Sequence, residues 1–204
     1  MTATDQHLEN NLFPIFVKLR EIETLVVGGG NVGLEKVEAL LKNDPLAQIT
    51  IVAPWIKPEL ATLVRDKASI KILQRTFDWP DLNHKKMVIL ATDDRELHVR
   101  IKEQTQGMPL LVNVADTPDL CDFYLGSTVK KGALKVGIST NGQSPTLAKR
   151  IRELLEDVLP DDVPSLLKNL KSIRDRLKGD FEYKVNTLNN ITTKLLEDEH
   201  SFGK

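Results

Sequence analysis

Short apolar runs alternate with charged, helix-length stretches through the first half of the chain. The runs are rich in Val, Ile and Leu and comprise residues 15–19, 24–28, 48–53, 69–73, 86–92 and 109–115. This composition is typical of parallel strands that are covered on both faces. Helix-length stretches separate them at 31–43, 57–67 and 93–106. The alternation predicts an α/β domain with its ligand crevice at the carboxyl ends of the strands.

The pattern changes after Asp116. Two strands near 123–130 and 134–139, with a turn at Lys131-Gly132, predict a hairpin. Ser144 followed by Pro145 predicts a helix N-cap and first helical residue. Amphipathic helices then follow up to Pro160, over 164–178 and over 181–197, each with one apolar face. We therefore divide the chain into residues 1–115, a hairpin region over 116–145, and a helical region over 146–204.

Composition narrows the class of protein. The 204 residues carry a net charge of −1, which gives no general attraction to nucleic acid or to a membrane surface. The polar start of the chain, residues 1–11, does not predict a secretory signal. One cysteine, Cys121, allows no internal disulfide, and the four histidines are scattered. We expect a cytoplasmic protein without a permanent metal site.

A glycine-rich loop follows the run at 24–28. Gly28, Gly30 and Gly33 satisfy the pattern G-x-G-x-x-G between a predicted strand and a predicted helix. Gly28 permits a tight turn, Gly30 lets the backbone approach a pyrophosphate, and Gly33 lets the helix pack closely. The helix start at Asn31 and Val32 offers N–H groups to phosphates. The loop predicts dinucleotide binding; a purely structural glycine turn is the alternative.

The second strand lacks the acidic residue that usually binds the adenosine ribose. Its end reads Val52-Ala53-Pro54-Trp55, and no arginine is present there to bind a 2′-phosphate. Backbone groups around Pro54 and Trp55 are the candidates for this contact. Trp55 either flanks the adenine or is an ordinary surface or core residue. The residues leave the choice between NAD and NADP open.

Polar residues end two further strands at the predicted crevice. Thr92 follows one strand and is a candidate for the nicotinamide half, while Asp93 or Asp94 caps the next helix. Asn113 and Asp116 end the following strand. A carboxylate at Asp116 could accept the proton that accompanies hydride transfer. A turn or helix cap is an equally good interpretation of Asp116, because Thr117-Pro118 follows.

The motifs together resemble one family. NLFPIFVKLR (11–20), LVVGGGNVGLEK (25–36), ILATDD (89–94), LVNVAD (111–116) and VGISTNGQSPTLAKRIRELLE (136–156) are similar, in this order, to the siroheme synthase dehydrogenase family. Its members are precorrin-2 dehydrogenases, and some are also sirohydrochlorin ferrochelatases. The similarity extends from about Leu12 to Leu159, and the helical tail resembles the family only in general character.

The resemblance implies a fold and an activity. It implies a Rossmann-like NAD-binding domain, a small dimerisation region and a helical C-terminal region, assembled as a homodimer. It implies oxidation of precorrin-2 to sirohydrochlorin with NAD, and in bifunctional members insertion of ferrous iron. The family's key acid maps to Asp116. A serine of the family's active site, which can be phosphorylated, maps to Thr140 beside Ser139. Whether iron or cobalt is inserted stays open.

The substrate class gives the basic residues after Asp116 a role. A tetrapyrrole rich in carboxylates needs cations, and guanidinium groups bind carboxylates in bidentate geometry. The candidates are Lys130, Lys131, Lys135, Lys149, Arg150 and Arg152. Each one taken singly also fits a solvated surface.

Two other functions compete with this enzyme. An NAD-sensing regulatory module without catalysis would share the glycine loop. The NVAD motif, the helix at Ser144-Pro145 and the basic residues favour the enzyme. A generic small-molecule dehydrogenase is disfavoured, because neither Tyr124 nor Tyr183 is followed by lysine four residues later.

Overall fold

The computed structural model describes residues 10–197, with the side chains of 194–197 left aside. Most of the polar N-terminal segment, with His7, and the tail with His200 lie outside the described residues. The described residues up to Leu125 form one compact unit, and those from Gly126 onward form a second. The proposed three-part division of the chain stays a prediction.

The first unit is built on a five-stranded parallel sheet. Its strands are β1 Glu23–Val27, β2 Gln48–Val52, β3 Ile70–Leu73, β4 Met87–Leu90 and β5 Leu111–Val114. They lie in the order β3-β2-β1-β4-β5. The connecting helices are α1 Asn31–Asn43, α2 Pro58–Val64 and α3 Arg95–Gln104. The predicted alternation of strand and helix is confirmed, and α1 has the predicted limits.

Alternate residues of the central strands fill two separate hydrophobic cores. Val26 of β1 belongs to the core that also contains Val37 of α1 and Leu60 of α2. Leu25 of β1 belongs to the other core, which contains Ile101 of α3. Successive side chains of a strand point to opposite faces, so the sheet is covered on both sides. This explains why the strands read as continuous apolar runs.

One predicted strand is absent. Residues 15–19 form no strand: Ile15, Phe16 and Val17 are exposed, and only Leu19 is buried. The apolarity of a run does not tell whether a neighbouring strand offers its N–H and C=O groups, and a strand requires that ladder. The prediction of a strand over 15–19 was therefore wrong.

The second unit contains a hairpin and three helices. The hairpin consists of β6 Ser127–Lys131 and β7 Leu134–Ile138, in antiparallel pairing. Its first strand begins four residues later than predicted, and the turn comprises Gly132 and Ala133. Gly132 has a φ of +59°, which only glycine adopts easily. The helices are α4 Pro145–Val158, α5 Val163–Arg176 and α6 Phe181–Glu197.

The predicted start of α4 is confirmed. The Ser144 side chain accepts a hydrogen bond from the Leu147 amide at 3.2 Å, and Pro145 occupies the first turn. No helix among the described residues is long and apolar enough to cross a membrane.

Candidate functional site

The glycine loop lies where the direction of strand addition reverses. Strand β1 has β2 on one side and β4 on the other, and Gly28 follows β1 directly. A Cβ atom on Gly28 would lie 2.2 Å from the Ala91 carbonyl oxygen and 3.3 Å from Cγ2 of Thr92. Gly28 also has a φ of +120°. The carboxyl ends of β1 and β4 are therefore in direct contact. Parallel α/β sheets bind ligands at this position in the sheet.

The start of α1 fits the phosphates of a dinucleotide. A Cβ on Gly33 would lie 2.2 Å from the Gly28 carbonyl oxygen, so Gly33 is needed for the tight approach of helix to strand. A Cβ on Gly30, in contrast, would meet no atom within 4 Å and would extend into open space. Gly30 is the N-cap of α1, and no side chain caps the helix there. The N–H groups at Asn31 and Val32 are thus available to an anion.

The end of β2 lies against the same loop. A Cβ on Gly29 would lie 2.4 Å from the Trp55 carbonyl oxygen, and the Gly29 oxygen accepts a hydrogen bond from the Lys57 amide at 2.9 Å. The sequence analysis assigned no role to Gly29 or to Lys57. The indole of Trp55 is 60% exposed, and Pro54 is exposed beside it. The predicted adenosine contacts are therefore adjacent to the glycine loop and accessible.

Thr92 is held by a histidine that the sequence analysis did not identify. Its Oγ1 lies 2.8 Å from Nε2 of His98, which is 4% exposed in α3. Burial lowers the pKa of His98, while the charges of Asp94 and Asp93 act weakly in the opposite direction. His98 is therefore neutral at pH 7. Asp94, the second of the two predicted candidates, caps α3 by accepting from the Leu97 amide at 2.9 Å.

Asp116 lies beyond the end of β5, the neighbour of β4. Its φ of +56° is uncommon for a residue other than glycine, and its side chain is exposed. Within residues 10–193 the carboxylate makes no hydrogen bond or ion pair. Asn113 is buried in β5, and its Nδ2 donates to the Phe123 carbonyl at 2.8 Å. Unusual backbone conformations of this kind are frequent at functional sites.

The segment after Asp116 is tied back to β5. The Cys121 sulfur lies 3.2 Å from both the amide nitrogen and the carbonyl oxygen of Val114. Burial raises the pKa of the Cys121 thiol, so it stays protonated at neutral pH. Asp122 accepts from the Val112 amide at 2.9 Å and also pairs with Lys102 of α3. These contacts fix both sides of the turn that presents Asp116.

The remaining predicted residues belong to the second unit. Ser139 is exposed and accepts from the Asn141 amide at 3.2 Å. The Thr140 hydroxyl donates to the Ser144 carbonyl at 3.1 Å, which stabilises the turn before α4. Lys130 is exposed on β6, and Arg150 pairs with Glu153 at 2.9 Å. Their contact with a substrate stays a prediction.

The comparisons with known proteins identify the family. A family model described as NAD(P)-binding matches residues 15–127, which is more than half of the chain. The chain belongs to this NAD(P)-binding family. A second model, described as sirohaem biosynthesis protein central, matches residues 131–157 of this family member.

Curated relatives of the chain are siroheme synthases. The siroheme synthase of Pseudoalteromonas atlantica is 37% identical over 169 residues, which cover 83% of this chain and 36% of the relative. The siroheme synthase of Psychrobacter cryohalolentis is 35% identical, with 87% and 33% covered. The chain thus spans about a third of the length of these relatives.

The solved structure of SirC, a precorrin-2 dehydrogenase, is similar over 88% of this chain and 89% of that one. The TM-score is 0.70 at 25% identity. The predicted fold class and the predicted resemblance are confirmed.

Proposed function

We propose that this protein oxidises precorrin-2 to sirohydrochlorin with NAD as the hydride acceptor. The observation that carries the proposal is the carboxyl edge of the sheet. There the glycine loop, Thr92 and Asp116 follow strands β1, β4 and β5, which are neighbours in the sheet. The similarity to SirC along most of both chains supports the choice of substrate.

The reaction removes a hydride and a proton from the macrocycle and so adds one double bond to it. NAD, when bound, supplies the acceptor for the hydride. Gly28, Gly30, Asn31, Val32 and Gly33 would hold its phosphates, Pro54 and Trp55 its adenosine half, and Thr92 its nicotinamide half. Asp116 accepts the proton as a general base, because its exposed carboxylate has no partner among the described side chains.

Basic residues of the second unit are the proposed contacts for the carboxylates of the substrate. Lys130 and Arg150 are exposed, and Arg150 holds Glu153 in an exposed ion pair. Exposed pairs of this kind contribute little stability, so a substrate carboxylate can replace Glu153 at low cost. Ser139 and Thr140, and the buried Asn113 of the first unit, stay predicted substrate contacts.

A homodimer is part of the proposal. Leu147, Leu154 and Val158 form an apolar stripe on α4 and are 52%, 60% and 60% exposed. Their spacing of seven and four residues places them on one face of the helix. A second copy of the chain would bury this stripe in an isologous contact.

The names of the relatives favour an enzyme over an NAD-sensing module, since they are siroheme synthases and a precorrin-2 dehydrogenase. Insertion of ferrous iron stays a prediction from the resemblance. No cluster of three or more His, Cys, Asp or Glu side chains among the described residues is placed to hold a metal ion. In that reaction iron is a substrate.

The test is an anaerobic assay with precorrin-2 generated in situ, purified protein and NAD. Absorbance reports sirohydrochlorin and NADH. Asp116→Asn should fold and bind NAD normally, because asparagine also tolerates the left-handed backbone conformation. It should lose about a hundredfold or more in turnover, the usual contribution of a general base. Asp119→Asn removes an exposed carboxylate three residues away and serves as the matched control.

Full turnover in Asp116→Asn would disprove the general-base role. NAD binding without oxidation by the wild-type protein would favour the sensor instead. Ferrous iron is added in a second stage, where metallation faster than in a protein-free sample would establish the chelatase activity.

A further inference from the structure

Lys57 is a positively charged residue beside the glycine loop to which no role in the site has yet been given. It lies in the connection between β2 and α2, and its amide donates to the Gly29 carbonyl at 2.9 Å. Its Nζ donates to Oδ1 of Asn31, the first residue of α1, at 2.7 Å. The ammonium group is therefore fixed beside the uncapped end of α1 by two contacts with the glycine loop.

The charge of Lys57 is only partly neutralised. Glu59 is its one carboxylate partner among the described residues, at 3.4 Å, and is itself largely exposed. An ammonium group has three donors. Asn31 accepts a hydrogen bond from one of them, and the Glu59 carboxylate lies only at ion-pair distance. At least one donor remains for an additional acceptor. The Lys57 side chain is 25% exposed, so this donor is accessible while its stem stays packed.

We propose that Lys57 is a further cofactor-binding residue, whose ammonium group binds the pyrophosphate of the dinucleotide at the N-terminus of α1. This inference rests on the proposed use of NAD. It follows from position, because a pyrophosphate on the Asn31 and Val32 amides lies beside the side chain that Lys57 already contacts. It also follows from charge, because no other lysine or arginine side chain among the described residues hydrogen-bonds to residues 28–33.

The proposed contact of Lys57 with the pyrophosphate does not distinguish NAD from NADP. The end of β2 carries no acid to repel a 2′-phosphate, and Lys57 acts on a group that NAD and NADP share. Loss of Lys57 should therefore weaken both cofactors by the same factor. A lysine that served only a 2′-phosphate would affect NADP alone.

The experiment measures dissociation constants by isothermal titration calorimetry for NAD and NADP. Lys57→Gln should raise both by about five- to tenfold, in the range expected for a partly exposed hydrogen bond to a charged group. Lys57→Arg should retain most of the affinity because it keeps the charge. Lys42→Gln makes the same change of charge in the last turn of α1 and should have no effect.

Asn31→Ala separates binding from support of the loop. It removes the Asn31–Lys57 hydrogen bond but keeps the cation, so it should weaken binding less than Lys57→Gln. An equal loss in both variants would assign Lys57 a structural role and overturn the proposal. So would unchanged affinities in Lys57→Gln, or a loss confined to NADP. A wild-type protein that binds neither cofactor would overturn the proposed function itself, and this inference with it.

Discussion

The two compact units differ in where they leave their apolar side chains. In the first unit, the central strands β1, β2 and β4 are almost entirely buried between helices. In the second, only Val129, Ala148 and Val163 are buried among the described side chains. The first unit completes two cores from its own chain. The second leaves helical faces such as that of α4 open.

The difference follows from the two kinds of element. A parallel sheet must be covered on both faces, and the crossover helices α1, α2 and α3 supply that cover from the same chain. In the second unit, a two-stranded hairpin and three amphipathic helices do not cover all the apolar side chains of these helices, and those of the α4 stripe remain exposed. The first unit therefore buries its apolar faces within its own chain, whereas the second leaves an apolar face of α4 exposed.

The largest effect is expected from the glycine loop, where neighbouring glycines serve different purposes. Gly28→Ala places a Cβ atom 2.2 Å from the Ala91 carbonyl oxygen. Alanine also rarely adopts the φ of +120° that Gly28 has. We expect a loss of about 3 kcal/mol or more in the free energy of unfolding. The Cβ atom added by Gly30→Asp meets no atom within 4 Å, so this variant should leave stability nearly unchanged but abolish NAD binding through clash and like charge.

Urea unfolding and NAD titration of both variants check this contrast. A stable Gly28→Ala would show that the loop can relax, and the contact between β1 and β4 would not be rigid. Undiminished NAD affinity in Gly30→Asp would remove the loop from the cofactor site.

A smaller effect should appear in the second unit, at its open face. Leu154→Lys places a charge in the centre of the α4 stripe, where a second copy would have to bury it. We expect the dimer to dissociate at concentrations at least about ten times higher than for the wild type. The fold of the monomer should be unaffected, because Leu154 is already exposed. Sedimentation velocity over a concentration series measures this.

Thr146→Lys, at an exposed position of α4 away from the stripe, is the control. A monomeric wild type, or a Leu154→Lys dimer of unchanged affinity, would contradict the proposed interface.

The sequence predicted those features that local patterns determine. The limits of α1, the cap at Ser144 and the tight turn at Gly28 follow from periodicity and from the conformational preferences of single residues. The strand predicted over 15–19 failed because pairing depends on a neighbour that the run does not specify. The apolar positions of α4 were also predicted from periodicity, whereas a second copy of the chain as their partner came only from the family resemblance.

The contacts around the site could not be predicted for a related reason. Lys57 meets Asn31 across 26 positions of the chain, and Gly29 meets the Trp55 carbonyl only because β1 and β2 are paired. These contacts require the assembled sheet. The glycine pattern marked the loop, but no local signal marked the lysine beside it.

The smallest effect concerns His98, the buried titratable group behind Thr92. Burial lowers the pKa of His98 in the folded state below the value of about 6.5 expected in the unfolded chain. When the pH falls below about 6.5, the unfolded chain therefore binds a proton at His98 more readily than the folded chain does, and this favours unfolding. The contribution of neutral His98 to stability is complete above that pH and declines as the pH falls toward the folded pKa. His98→Gln cannot titrate. The stability advantage of the wild type over His98→Gln should therefore shrink between pH 7.5 and pH 5.5.

Urea unfolding of both proteins at several pH values measures the difference, in which all other titrating groups cancel. Asp94 and Asp93 oppose the effect of burial, so the decline should be steeper in Asp93→Asn, which removes one opposing charge without touching the cap at Asp94. A difference that stays constant with pH would show that His98 is protonated as easily in the folded protein as in the unfolded chain. The first unit would then admit solvent to the His98 side chain. The difference in burial between the two units would be smaller than the exposed fraction of His98 indicates.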